Sequence, residues 1–260
     1  MYNNVIHKIN QVFFGDKMCV TILFHRQFKD YPIILANNRD EMINRKFTFP
    51  QLLNKKPKIF GPKDLEKGGT WLGINEYGIV INILNKWSGK KKFFGSDKYI
   101  SRGLLVLNLL KEKSIESIIN ILKNLELDKY LPFHLLVTNK NKAIVVLKDK
   151  EIKFYDISGK IFILGNLNPF EKWKKYEFGY KFINESKIKT PNDAIDTMKK
   201  LLKIHKGDKN IPSTDYAVKI GDFQTTSSSI VLLNKKVIFK FHNGFPGKSI
   251  YHNYIFEYSV

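Results

Sequence analysis

The sequence predicts an α+β fold in which layers of β-sheet are covered by helices. Strand-like runs come in blocks, and most neighbouring runs are joined by short turns. Helix-period segments are grouped between those blocks, which disfavours the strict alternation of a parallel doubly wound sheet. The length of 260 residues, with 43% hydrophobic and 13% aromatic content, is enough for a sizeable core.

The first block is residues 19–41. Val20–Phe24 and Ile33–Ala36 are short runs rich in β-branched residues, linked through Lys29-Asp30-Tyr31-Pro32. They read as adjacent antiparallel strands over 19–26 and 31–38. The first begins at Cys19, the only cysteine; the second runs into Asn37-Asn38-Arg39-Asp40-Glu41. A nucleophile and an Arg/Asp pair can therefore meet at one end of a hairpin.

Residues 42–63, mixed and rich in Lys and Pro, read as a loop. A second hairpin, 70–74 with 79–84, follows Gly68-Gly69 and turns at Asn75-Glu76-Tyr77-Gly78. Lys90-Lys91-Lys92 marks a solvated surface loop. Helical spacing appears over 101–112 and 114–125, with Ser101 and Ser114 as N-caps. Strands follow at 132–138, 142–148, 151–156 and 162–164. Helices are predicted over 169–182, from Asn168-Pro169, and over 191–205. The hairpin 227–233 with 236–241 comes last, and the aromatic tail 250–258 reads as an edge strand.

Composition removes several function classes. No apolar run approaches the ~20 residues of a membrane helix. The formal net charge of +20 invites a nucleic-acid reading, but only Arg26, Arg39, Arg45 and Arg102 of the 44 basic residues are arginine. Base-reading surfaces favour the arginine fork, so no specific nucleic-acid partner is expected. Peripheral attraction to anionic membranes is. One cysteine excludes an internal disulfide and suits a reducing compartment, hence the cytoplasm. His25, His134, His205, His242 and His252 show no metal-ligand spacing, so no metal is expected.

Met18-Cys19, Asn38-Arg39-Asp40-Glu41 and Gly68-Gly69-Thr70-Trp71-Leu72-Gly73 together resemble the NRDE family, also named for transport and Golgi organisation. Ser101-Arg102-Gly103, Gly165-Asn166 with Trp173, and Thr225-Thr226-Ser227-Ser228-Ser229-Ile230 extend the likeness over about residues 18–240. The family resembles N-terminal-nucleophile hydrolases, which implies a single-domain αββα sandwich over 18–260. Gly73-Ile74-Asn75, Gly78 and Leu84-Asn85 are similar to a hairpin of the choloylglycine hydrolase and penicillin V acylase group.

That resemblance implies a site. Cys19 would attack an amide or thioester with its own α-amine as base. Arg39 would favour the thiolate, Asp40 would orient the amine, and Asn85 and Asn166 would donate to the oxyanion. Asn38, Glu41, Thr70 and Trp71 would contact a bound ligand. Each has a structural reading too: a lone buried cysteine, an anchoring ion pair, turn residues at Asn75 and Gly78, and Trp71 in the core. Two features depart from the pattern. Thr226 stands where the family usually has arginine, and residues 1–17 precede Met18, which keeps the Cys19 nitrogen in an amide. The 1–17 extension reads as a propeptide, a targeting or docking segment, or the product of an upstream start; the last is favoured, because removal of Met18 then frees Cys19.

The resemblance also implies a function. The favoured reading is a carrier that binds or traffics an amphipathic anionic ligand, haem or an acyl-CoA or other lipid. It needs no cofactor, with haem as a bound ligand, and serves secretion and Golgi organisation, with mitochondrial or Golgi association beside the cytoplasm. The alternative is a cysteine N-terminal-nucleophile amidohydrolase or acyltransferase.

Overall fold

The computed structural model describes residues 19–86, 98–206, 214–247 and 250–258. The N-terminal extension, Met18 and the Lys90-Lys91-Lys92 surface lie outside them.

Strands β1 (Val20–His25) and β2 (Ile33–Met42) pair antiparallel, Val20 opposite Asn38, as their patterning predicts. They join β10 (Ile161–Leu164), β11 (Lys219–Ile220), β12 (Phe223–Leu233), β13 (Val237–Asn243) and β14 (His252–Phe256) in one sheet. Its order is β10-β1-β2-β12-β13-β14, with β11 on β12. The second sheet runs in sequence order through β3 (Gln51–Lys55), β4 (Lys58–Gly61), β5 (Leu72–Asn75), β6 (Val80–Asn85), β7 (Phe133–Thr138), β8 (Ala143–Lys148) and β9 (Ile152–Asp156). Helices α1 (Arg102–Leu109) and α2 (Ile115–Lys123) belong to the second sheet's side, α1 packing on β5 and β6. Helices α3 (Lys174–Glu185) and α4 (Pro191–Leu202) cover the first, on β10 and β2. The architecture is the expected αββα sandwich.

Alternation along β2 decides the site. Ile33 and Leu35 enter the core that includes the second sheet, whereas Ile34 and Ala36 join the cluster under α3 and α4. With a period of two, Arg39 and Glu41 continue the first face and Asn38 and Asp40 the second. The sheets are also joined by a buried polar contact: the Thr21 hydroxyl donates to Asn82 Oδ1 at 2.5 Å, and Asn37 Nδ2 donates to Thr21 Oγ1 at 3.1 Å.

Two predicted elements differ. Residues 42–63 contain the edge hairpin β3–β4, whose lysines and proline are habits of an exposed sheet edge as well as of a loop. The helix expected from Asn168-Pro169 begins at Lys174, because Asn168 folds its own segment into a turn, its Oδ1 accepting from the Phe170 N–H at 3.1 Å.

Candidate active site

A pocket of about 180 Å³ opens where the end of the first hairpin meets the N-terminus of α1. Cys19, Arg39, Asp40, Glu41, Thr70, Trp71 and Asn85 all line it. Cys19 is held at the hairpin end, its Sγ accepting from the Asp40 N–H at 3.2 Å. Burial, then the negative charge of Asp40, pushes the thiol up to about 12. With its nitrogen locked in a peptide bond, Cys19 is thus a thiol at neutral pH.

Arg39 is buried and strongly held. It donates to Asp64 Oδ2 at 3.1 Å and Thr226 Oγ1 at 3.0 Å, and stacks 4.6 Å from the Trp71 ring centroid. Thr226 lies where the β2–β12 register slips, between the Asp40–Thr225 and Arg39–Ser227 pairs. The residue that departs from the family pattern thus forms a bulge whose hydroxyl holds the guanidinium. Trp71 is both core and pocket wall. Thr70 is buried and donates to its own loop, at Leu72 O 2.9 Å away.

Asp40 is buried on the other face. Oδ1 accepts from Thr225 at 2.5 Å, while Oδ2 has no hydrogen-bond partner. Burial raises this carboxyl to about 6, against the opposing charge of Lys175 and the Thr225 hydrogen bond. Asn38 does not join the pocket. Its amide donates to Leu202 O and Tyr216 O, both at 2.9 Å, and accepts from Ser228, tying β2 to the α4 layer. The ligand contact expected of Asn38 is thus not at this pocket, since its side chain is taken up by Leu202, Tyr216 and Ser228. Asn166 is buried outside the pocket lining and donates to the backbone carbonyl of Asn85.

The sequence alone did not single out Asp64 or Arg45. Asp64 Oδ2 accepts from Arg45 Nε at 2.8 Å as well as from Arg39, and Arg45 reaches Glu41 at 3.3 Å. Burial would raise the Asp64 carboxyl, but the Arg45 hydrogen bond and the Lys67 N–H outweigh it and hold it low. Asp64 stands four residues before Gly68-Gly69, and that proximity was the available signal.

The two glycine motifs make the pocket wall. A Cβ on Gly69 would lie 2.2 Å from Gly103 C, and the Thr70 N–H donates to Gly103 O at 3.1 Å. Only glycine lets these backbones approach so closely, and their contact sets Ser101-Arg102-Gly103 against the pocket.

A second hollow of about 450 Å³ lies beyond Ile100, which lines both. Leu53, Ile59, Leu104, Leu105 and Tyr130 are among its walls. Neither hollow is lined by histidine or methionine. The polar pocket is smaller than the ~300 Å³ usual for a ligand site and is rimmed by charge, so by itself it does not suit a haem plane.

The two sheets, the flanking helices and a cysteine at the start of β1 define a protein with the N-terminal-nucleophile hydrolase fold. The profile of the Transport and Golgi organisation 2 family matches residues 18–243, and the chain belongs to that family. Penicillin V acylase from Agrobacterium tumefaciens is similar in structure, with a TM-score of 0.52 and 14% identity over 86% of this chain and 83% of that one. An N-acylethanolamine-hydrolyzing acid amidase orthologue of Caenorhabditis elegans gives a TM-score of 0.59 and 13% identity over 82% and 92%. At such identity the likeness concerns the fold. An uncharacterized protein of Saccharomyces cerevisiae, YGR127W, is 37% identical over 95 residues, 34% of this chain and 29% of that protein. The matched stretch is thus under a third of the yeast protein. Among the described residues, no helix is long and apolar enough to cross a membrane.

Proposed function

We propose that the protein is a cysteine N-terminal-nucleophile acyl-transfer enzyme, an amidohydrolase in its simplest form, active when Cys19 is the first residue. The observation that carries this reading is Asp40: a buried carboxylate at the Cys19 pocket with one oxygen unpartnered. An unsatisfied buried carboxylate oxygen is costly. An α-ammonium on residue 19 is a cation that would satisfy it, and the same amine supplies the base that the high-lying thiol lacks.

The amine takes the Cys19 proton, Sγ attacks the acyl carbonyl, and the amide nitrogen leaves with the proton from the ammonium. Water then releases the acyl group from the thioester and regenerates the thiol. Asn85, in the pocket wall, donates to the oxyanion, while Asn166 fixes the Asn85 backbone. Arg39, braced by Asp64 and Thr226, supplies positive potential beside the sulfur.

Carriage of an amphipathic ligand is a second reading. It is favoured by the shared Ile100 wall, which sets an apolar hollow next to a charged one. An acyl chain suits the apolar hollow and an anionic group the charged pocket.

Two preparations separate these readings: the full-length chain and one beginning at Cys19. Penicillin V and an N-acylethanolamine, suggested by the names of the structural neighbours, serve as first substrates. The Cys19-terminal chain is expected to release product and the full-length chain to release none. Equal turnover by both would reject the amine as base; binding of the same acyl ligand by both, without turnover, would leave carriage.

A further inference from the structure

Pocket charges are unevenly paired. Arg39 and Arg45 share the carboxylates of Asp64 and Glu41, with Glu66 at 3.8 Å from Arg45. Arg102 also lines the pocket, at the first position of α1. Its Nη1 donates to Pro132 O at 2.9 Å, and no described carboxylate comes within ion-pairing distance. The nearby acid Glu41 is already engaged by Arg45 at 3.3 Å. Burial and the charge of Arg45 press the Arg102 guanidinium down to about 10. Its neighbours are fixed, because the Gly69–Gly103 backbone contact allows the helix start no retreat.

We propose that Arg102 is an anion anchor that binds a carboxylate or phosphate carried by the ligand and places it beside Cys19. A half-buried guanidinium with no described carboxylate in ion-pairing distance retains donors and charge that a planar or tetrahedral oxyanion can satisfy. The first position of α1 adds the positive end of a helix dipole. The proposal rests on the pocket being the ligand site of the acyl-transfer reading, but not on Cys19 being competent for turnover.

Because Cys19 is the only cysteine, every thiol alkylation reads this pocket. The probes are iodoacetate, which is anionic, and iodoacetamide, which is neutral and nearly the same size. Thiol pKa and access affect both reagents, so the ratio of their rates isolates the anion site. In the full-length protein the ratio is expected to exceed that of a small free thiol. Arg102→Gln should lower it about tenfold, the order of one partly screened charge pair, with partial recovery in Arg102→Lys. Lys29→Gln, which removes one exposed charge at the far end of the β1–β2 hairpin, controls for net charge and should leave the ratio unchanged. Identical ratios in wild type and Arg102→Gln would overturn the proposal, as would an equal drop in Lys29→Gln.

Acetate and inorganic phosphate are then tested as protectants of Cys19 against iodoacetamide in the wild-type protein. Whichever protects identifies the carboxylate or the phosphate source. Should Arg102→Gln fail to fold, this arm decides, and no protection by either anion at tens of millimolar would overturn the anchor. A lost charge effect with intact turnover by the Cys19-terminal chain would reject the anchor alone. An intact charge effect without turnover would reject the nucleophile alone.

Discussion

Asp40 and His134 are buried groups whose titrations oppose each other. The folded Asp40 carboxyl, raised by burial from 3.8 to about 6, keeps a proton that the unfolded chain has lost. Its stabilising contribution is complete below about pH 4 and is lost as the pH rises through about 6. His134 donates from Nδ1 to Gly165 O at 2.8 Å, leaves Nε2 buried without a partner, and is lowered by burial from 6.5 to about 4. Its contribution is present above 6.5 and is lost as the pH falls towards 4. Asp40→Asn removes the first effect and leaves the second. The stability of the variant relative to wild type should therefore fall by about 2 kcal/mol between pH 8 and pH 4, read by urea denaturation at both. A pH-independent difference would mean that Asp40 titrates normally.

At the scale of elements, the glycine contact between the β4–β5 loop and α1 has the clearest consequence. In Gly69→Ala the new methyl would meet the backbone at Gly103 C, 2.2 Å, and Leu104 N, 2.5 Å, neither of which can turn aside. The variant should lose about 3 kcal/mol or more. It should also expose Cys19 to neutral alkylation faster than wild type, since the start of α1 must move from the pocket. Gly68→Ala gives a contrast: its Cβ meets nothing, and its cost of about 1 kcal/mol comes from a φ of +73° alone. Two other helix starts are capped by local side chains. The Ser114 hydroxyl accepts from the Ser117 N–H, and Thr190 with Asp193 forms a capping box before Pro191.

For the whole molecule, two large sheets must stay in register across a mostly apolar core. Thr21 and Asn82 supply one directional contact between them, and the Asn82 amide also holds Trp71 O at 3.0 Å. Thr21→Val should cost about 2 kcal/mol, and about 1 kcal/mol less in an Asn82→Ala background. A double-mutant cycle from denaturation curves reads that coupling; strictly additive costs would show that the bond contributes nothing to sheet alignment.

The sequence by itself determined what is local. Period-two runs and turn residues specified the hairpins, and helical spacing specified most helices; of the two expected caps Ser114 closes its helix start, whereas the Ser101 side chain makes no cap hydrogen bond. The Cys19, Asn38–Glu41, Gly68–Gly73 and Ser101–Gly103 motifs specified the family and, through it, the sandwich. Tertiary structure decided which way those residues point. Nine of the ten residues of β2 are buried, so polarity cannot distinguish its two faces. Only pairing with β1 and β12, between a second sheet and α4, sends Arg39 into the pocket and Asn38 away from it. The convergence of Arg45, Asp64 and Arg102 on Cys19 was likewise beyond local reading, because these contacts join segments far apart in the chain. It is the packing of α1 against the Gly68-Gly69 loop that brings Arg102 to the pocket of Cys19.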